Sequence, residues 1–483
     1  MGPAHSVEVS AEPGPLPWSL NLLYGVGEIP ITVTMALVGL FVLFFYNSVL
    51  GLPAQLAGIG IFAGLALDAF LDPYIGHRSD RSRHPLGRRH AYMLTGALAM
   101  GPCFFLILSP PRSLGTIGLF LWLVITSMLF RIASAVYRIP YLSLGAELTS
   151  HYHERTRLIA VRSLFGLLGM MAAAGLSFSL FFRGGTATFD PKMIYNNYPP
   201  LGLVFGTVMT LAGLAAFFGT RSRSELGDPS ASAHSWKVFF AGIVLAWRNR
   251  SFRNIWLSFT LFYLAVVLNA GLAIQFFNWY AGLHDSKVLS GIQTFFYIGA
   301  LGGVLLCGWL AKRAEKRTLY LVSMLATAVV LCAATLLFGQ GRFFGTGNAR
   351  PLLFGHLVAG IFASGLWVMP YSMLADVADE DQLSTGLRRG GIYFGMLNFG
   401  EKISAGGALL LAGFLLNGFV HLAPGTAVQT PQAISRLGMI YGLVPGCLLA
   451  AATLLFLPYR LNRQAVHQIQ QRLSTLQTEP THV

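Results

Sequence analysis

Two acidic residues lie one helical turn apart inside an apolar stretch, Asp68-Ala-Phe-Leu-Asp72-Pro73. A basic turn follows at once, Gly76-His-Arg78-Ser-Asp80-Arg81-Ser-Arg83 and then Gly87-Arg88-Arg89. A carboxylate at the centre of a membrane-spanning helix costs roughly 2.5–3.5 kcal/mol on insertion scales, so a pair at i and i+4 is expected to face a polar cavity or to share a cation. About 6 Å apart, at an effective dielectric near 20, the two repel by roughly 3 kcal/mol; a bound cation, a proton or a neighbouring arginine relieves this. Relief that comes and goes is a switch. If substrate binding favours the relieved state, the two sites are coupled through linkage. The alternative is a fixed ion pair with Arg138 that only pins two helices together.

Other charges occupy apolar runs as well: Arg131, Arg138, Arg162 and Lys402. Lys402 follows Glu401, and neighbouring positions on a helix diverge by about 100°, so one of the two is expected to face a pore, with Lys402 preferred. Trp367 and Tyr393, with Tyr24 and Tyr137, have the flat faces that stack on a sugar ring or fill a core. Gln275, Asn269 and Gln293 suit either substrate hydroxyls or interhelical hydrogen bonds. Asp80, Arg81 and Arg83 stand at a helix end beside water, where a gating latch between two halves is expected rather than substrate contact.

These residues must be carried by membrane helices. Hydrophobic residues make up 54% of the 483 and charged residues only 11%, against about 25% in soluble domains. Twelve apolar runs between residues 20 and 458 are each long enough to cross a bilayer, which takes about 20 residues per helix. The fold class is therefore all-α and polytopic. The net charge of +14 sits in short clusters between these runs, a pattern that orients a membrane protein and argues against nucleic acid. Of the 33 Lys and Arg, 22 fall on the side shared by both termini and seven on the other, which predicts cytoplasmic termini. Four cysteines in apolar runs, none closely paired, support neither a disulfide framework nor a metal site. No phosphate-cradling glycine loop, Gly-x-Ser-x-Gly elbow or His-Glu-x-x-His pattern is present, so an enzyme or nucleotide-driven pump is not expected.

The chain repeats itself. Ile139-Pro140-Tyr141 is echoed by Met369-Pro370-Tyr371 at an offset of 230, and the Gly76 to Arg81 turn by Gly308 to Arg313 at 232. Parallel six-helix halves follow. The predicted organisation is a tail over 1–19, a bundle over 20–219, a linker over 220–253, a second bundle over 254–458 and a tail over 459–483. Within the linker, Trp236 to Trp247 reads either as a surface-lying helix or as solvated chain.

The Asp-x-x-x-Asp-Pro-x-x-Gly-x-x-x-Asp-Arg run, the Gly-Arg-Arg after it, the Ile-Pro-Tyr turn and the two-half layout resemble the glycoside-pentoside-hexuronide:cation symporters of the major facilitator superfamily. That branch includes melibiose permease and, more distantly, the animal sodium-lysolipid symporters. The resemblance implies that Asp68 and Asp72 help hold the coupling cation, and that Arg162 and Lys402 match a fifth-span arginine near the sugar and an eleventh-span lysine. Two positions depart from the family pattern. Arg138 stands where sugar symporters tend to have an acidic residue, and Thr32 stands near the place of a first-span acid, with Glu28 one turn before it.

The expectation is a secondary active transporter in a plasma membrane, the bacterial inner membrane, with both termini in the cytoplasm. It would take up a glycoside, sugar acid or similar small solute with a coupling cation, a proton in preference to sodium. No other cofactor is implied, and a monomer in the lipid bilayer is expected. Glu28, Thr32, Arg138, Arg162, Lys402, Trp367 and Tyr393 are the candidate substrate residues. The rival reading is a translocator of lysolipids or other amphiphiles on the same fold.

Overall fold

The computed structural model describes residues 16–149, 152–186, 189–223, 244–386 and 390–478. Twelve of its helices are long and apolar enough to cross a membrane. Helices dominate because backbone groups in hydrocarbon must find their partners within their own segment. The first six are α1 (Trp18–Val49), α2 (Ala54–Asp80), α3 (His90–Ile107), α4 (Thr116–Glu147), α5 (Tyr152–Phe181) and α6 (Tyr198–Thr220). The second six are α7 (Arg250–Tyr280), α8 (Ser286–Leu310), α9 (Lys316–Leu337), α10 (Ala349–Thr385), α11 (Gly390–Val420) and α12 (Pro431–Phe456). Asn249, Asp285 and Thr430 cap α7, α8 and α12 by accepting the backbone N–H of Phe252, Lys287 and Ala433.

An even number of crossings puts the start of α1 and the end of α12 on one side, the terminal side; the other is the far side. In the first half α4 packs on α2 and α3, α6 on α3, and α1 on α5 and α6. In the second, α10 packs on α8 and α9, and α12 on α7 and α9, with α11 on α7. The halves meet along two seams, α2 with α11 and α5 with α8.

The repeat is visible in the backbone. Each half opens with a helix whose far-side end widens into a π-helical turn, Phe45–Val49 in α1 and Phe276–Tyr280 in α7, at an offset of 231. Pro140 and Pro370 lie inside the equivalent helices α4 and α10. The terminal-side ends are tied alike. At the start of α3, Arg89 binds Glu147 at the end of α4 (2.8 Å), and at the start of α9, Lys316 binds Asp376 near the end of α10 (2.7 Å).

Of the linker, residues 224–243 lie outside the described residues, as does most of the Trp236 to Trp247 stretch; 244–248 are helical, and Trp247 meets Trp256 edge-on. α7 starts at Arg250, inside the segment read as linker. The second tail contains a helix, α13 (Arg463–Thr478), which packs on α10. Its apolar residues Ala465, Val466, Ile469 and Leu473 share a stripe that explains the docking.

Candidate functional site

Helices α2 and α4 run in the same direction, and their charges meet in register. Asp68 and Asp72 are four residues apart and Arg131 and Arg138 seven, so each pair shares a helix face. Arg131 Nη1 lies 3.5 Å from Asp68 Oδ2, and Arg138 Nη2 donates to both oxygens of Asp72 at 2.9 Å. A second cation reaches Asp72 from the opposite bundle, the ammonium of Lys402 on α11. Asp72 is therefore clasped by both halves of the molecule.

Glu28 and Arg162 form a further pair, Oε2 to Nε at 3.5 Å, joining α1 to α5. Glu28 sits at a break in α1, where Gly27 and Glu28 interrupt two helical segments. The carbonyls freed near the break are occupied. Tyr141 Oη donates to Tyr24 O and Tyr137 Oη to Gly27 O, both at 2.9 Å, and the Tyr141 ring stacks on Tyr24 and Tyr137. Gly166 and Gly169 let α5 close on this turn, since a β-carbon on either would press on Glu28 or Thr32.

Glu401, beside Lys402, points to the second bundle. Its Oε1 accepts from Tyr263 Oη at 3.0 Å and its Oε2 from Tyr371 Oη at 3.2 Å. The Tyr263 ring also lines a cavity of about 430 Å³ together with Trp367, His356, Asn269 and Gln293. Met35 and Gly39 of α1 and Met170 of α5 close its first-bundle side, and apolar side chains such as Val330, Leu337 and Phe354 make up much of the rest.

The seams are tight on the far side. Gly413 and Gly58 bring the backbones of α2 and α11 together at Ala54 and Leu409, and Gly406 faces Phe62. Ser290 of α8 donates to the Gly175 carbonyl of α5 at 2.8 Å. The loop after α5 crosses to the second half. Fully buried Lys192 donates to the His284 carbonyl and pairs with Asp190, both at 2.9 Å, while Asp190 accepts from Asn278 at 2.7 Å. Gly425 N–H closes on the Asn47 carbonyl at 3.1 Å. Past Asp72 and Lys402 the α2–α11 seam parts: Tyr74, Phe394 and Phe399 are exposed, and Gly391 and Gly395 have open space around them.

Among the sequence candidates, Asp68, Asp72, Arg138, Lys402, Glu28 and Arg162 are brought to this region, and Trp367 lines the cavity. Others are placed elsewhere. The Thr32 hydroxyl is turned back to the Glu28 and Ile29 carbonyls, as a buried hydroxyl in a helix commonly is. Tyr393 is buried in the second-bundle core, edge-on to Phe252. Asp80 pairs with Arg89 of its own bundle, and Arg81 and Arg83 are exposed, so among the described residues these three form no latch between the halves. The described partner at the end of α2 is Arg89, at the start of α3. Two contributors were missed, Arg131 and Glu401. The first had a legible signal, since its spacing from Arg138 repeats one helix face.

The sequence profile of the family described as MFS/sugar transport protein matches residues 23–463. An uncharacterised symporter of Synechocystis is 26% identical over 98% of this chain and 99% of its own. The isoprimeverose transporter of Lactiplantibacillus pentosus is 25% identical over 91% of this chain and 88% of its own. A sodium-dependent lysophosphatidylcholine symporter of Danio rerio is 22% identical, over 92% and 86%. Among solved structures, a bacterial homologue of the human drug peptide transporters aligns with a TM-score of 0.60 over 94% of this chain and 98% of its own, at 11% identity. That likeness concerns the fold alone.

Proposed function

The chain belongs to the MFS/sugar transport protein family, an integral membrane transporter and not an enzyme, and from that premise we propose that it performs cation-coupled symport of a glycoside, sugar acid or similar small solute by alternating access. The observation that carries this reading is the clasp on Asp72, held by Arg138 from one bundle and Lys402 from the other. A carboxylate shared between bundles puts the charge balance of the first bundle in direct contact with the second, which is what coupling requires. With both termini assigned to the cytoplasm by the basic imbalance, the parted side faces inward and the sealed side outward.

Arg138 carries the choice of ion. A guanidinium keeps its charge at any physiological pH and binds carboxylates at two points, so beside Asp72 it fills the electrostatic niche a sodium ion would otherwise take. Arg131 does the same for Asp68. The coupling ion in this reading is a proton. Symport is supported by the relatives named as symporters, and a sugar by the family's description and the isoprimeverose transporter.

The apolar cavity and the lysophosphatidylcholine symporter among the relatives favour a second reading, in which an amphiphile places its chain in the cavity and its head near Arg162 and Arg138. Uptake into proteoliposomes decides between the two. The panel is methyl glycosides, disaccharides, uronates and lysophosphatidylcholine, each under separate proton and sodium gradients. Sugar or uronate accumulation driven by the proton gradient, unchanged when potassium replaces sodium, is expected. Strict sodium dependence that persists in Arg138→Gln would overturn the assignment of the ion, and lysolipid uptake alone would overturn the substrate class.

A further inference from the structure

Four carboxylates and four cations gather where the bundles meet: Glu28, Asp68, Asp72 and Glu401 with Arg131, Arg138, Arg162 and Lys402. Three of the acids have a guanidinium or ammonium within 4 Å. Glu401 differs. Among the described residues its carboxylate is held by phenols, Tyr263 from α7 and Tyr371 from α10.

We infer that Glu401 is the acid that carries the coupling proton, an assignment that rests on the proton-coupled reading above. Protonating Asp72 would strand Arg138 and Lys402, protonating Asp68 would strand Arg131, and protonating Glu28 would strand Arg162. An uncompensated buried charge costs several kcal/mol, roughly 3–5 where a buried pair is broken. Protonating Glu401 breaks no ion pair among the described residues. A phenol hydroxyl both donates and accepts, so the acid O–H can donate to one tyrosine while its carbonyl oxygen still accepts from the other. Both hydrogen bonds survive, one with its direction reversed.

The surroundings support exchange of the proton with substrate occupancy. Lys402 follows on the same helix, and Arg138 acts on Glu401 electrostatically from α4. Because the Tyr263 ring walls the cavity, a solute that fills the cavity bears on the phenol that holds Glu401. Solute and proton thus act on one hydrogen bond. The proton comes from water on one face, forms an O–H bond on Glu401, and returns to water on the other; no other covalent bond changes.

Infrared difference spectra of the full-length protein in liposomes, recorded as the buffer is stepped from alkaline to acid, test this without any substrate. A carboxylic acid C=O band should grow in the wild type, vanish in Glu401→Gln and persist in Asp72→Asn. Tyr371→Phe, which keeps the ring, should retain the band at a shifted frequency. A band that survives Glu401→Gln, or the absence of any such band in the wild type, would overturn the assignment. Sodium-driven uptake by the wild type would instead remove the proton-coupled reading beneath it, so the two failures are distinguishable.

Discussion

The two bundles share a plan and differ in what they hold. Their ends match: a π-turn closes α1 and α7, a proline lies inside α4 and α10, and a basic residue at a helix start grips an acid at a helix end in each. Their facing walls do not. The first bundle presents Glu28, Asp68, Asp72, Arg131, Arg138 and Arg162, while the second presents Glu401 and Lys402 beside a largely apolar cavity. Packing needs at the helix ends are common to both halves, so those residues are retained in kind. Walls that meet a solute have no such shared need. The first bundle supplies charge, and the second supplies an apolar surface and a single acid held by neutral partners.

The comparison breaks most severely at Asp72. Its removal leaves Arg138 and Lys402 facing each other, at a cost of roughly 3–5 kcal/mol for a broken buried pair. Asp72→Asn should lower concentrative uptake by about a hundredfold or more, the rate factor such a free energy implies, while exchange across equal gradients remains measurable. Active accumulation by Asp72→Asn at the wild-type level would show that the charged wall is only structural.

A smaller effect tests the matched ends. Arg89 is mostly buried and bonds Glu147, Asp80 and Ser79, whereas Lys316, 36% exposed, binds one carboxylate. Arg89→Ala should destabilise by about 1.5–3 kcal/mol, the range for lost hydrogen bonds to charged groups, and Lys316→Ala by about 1 kcal/mol or less after solvent screening. Thermal unfolding in detergent ranks the two. Equal losses would mean that the deeper burial and extra bonds of Arg89 add nothing to its hold.

The weakest expected effect lies in the far-side closure. Burial pulls the Lys192 ammonium below the ordinary lysine value, against the upward pull of Asp190. The closed seam therefore binds fewer protons than an open one with Lys192 in water, so closure strengthens as pH rises from the lowered value towards about 10.4, the ordinary lysine value. Below that window the effect is constant. Labelling of Ser290→Cys by an impermeant thiol reagent, referenced to an exposed cysteine, should slow across the window and lose this dependence in Lys192→Met. An unaltered pH profile in Lys192→Met would remove Lys192 from the closure.

The twelve crossings were legible because length and apolarity alone decide whether a segment can span a bilayer. The first-bundle acids were legible too, since a charge in an apolar run announces itself. Partners were harder to read. Lys402 meets Asp72 only because α2 and α11 pack across the seam, and no local pattern encodes a contact 330 residues long. Glu401 was set aside in favour of its neighbour on the ground that adjacent residues diverge; the divergence holds, and it directs Glu401 to Tyr263 and Tyr371. Thr32 and Tyr393 have the right chemistry for a substrate contact, but their hydroxyl bonding and burial are decided by backbone geometry and packing that a residue type does not reveal.

The Lys402–Asp72 contact stands where the α2–α11 seam passes from tight to parted. In mechanical language, that is where a rocking pair of levers has its bearing. Points near a pivot travel least, so this ion pair can persist through the whole stroke while the helix ends trade places between contact and separation. A bearing made of opposite charges also resists sliding, because displacement along either helix axis lengthens the contact, whereas rotation about it does not. Under the proposed alternating access, the motion this contact permits is a tilt, and a tilt about a fixed central point keeps one mouth shut while the other opens.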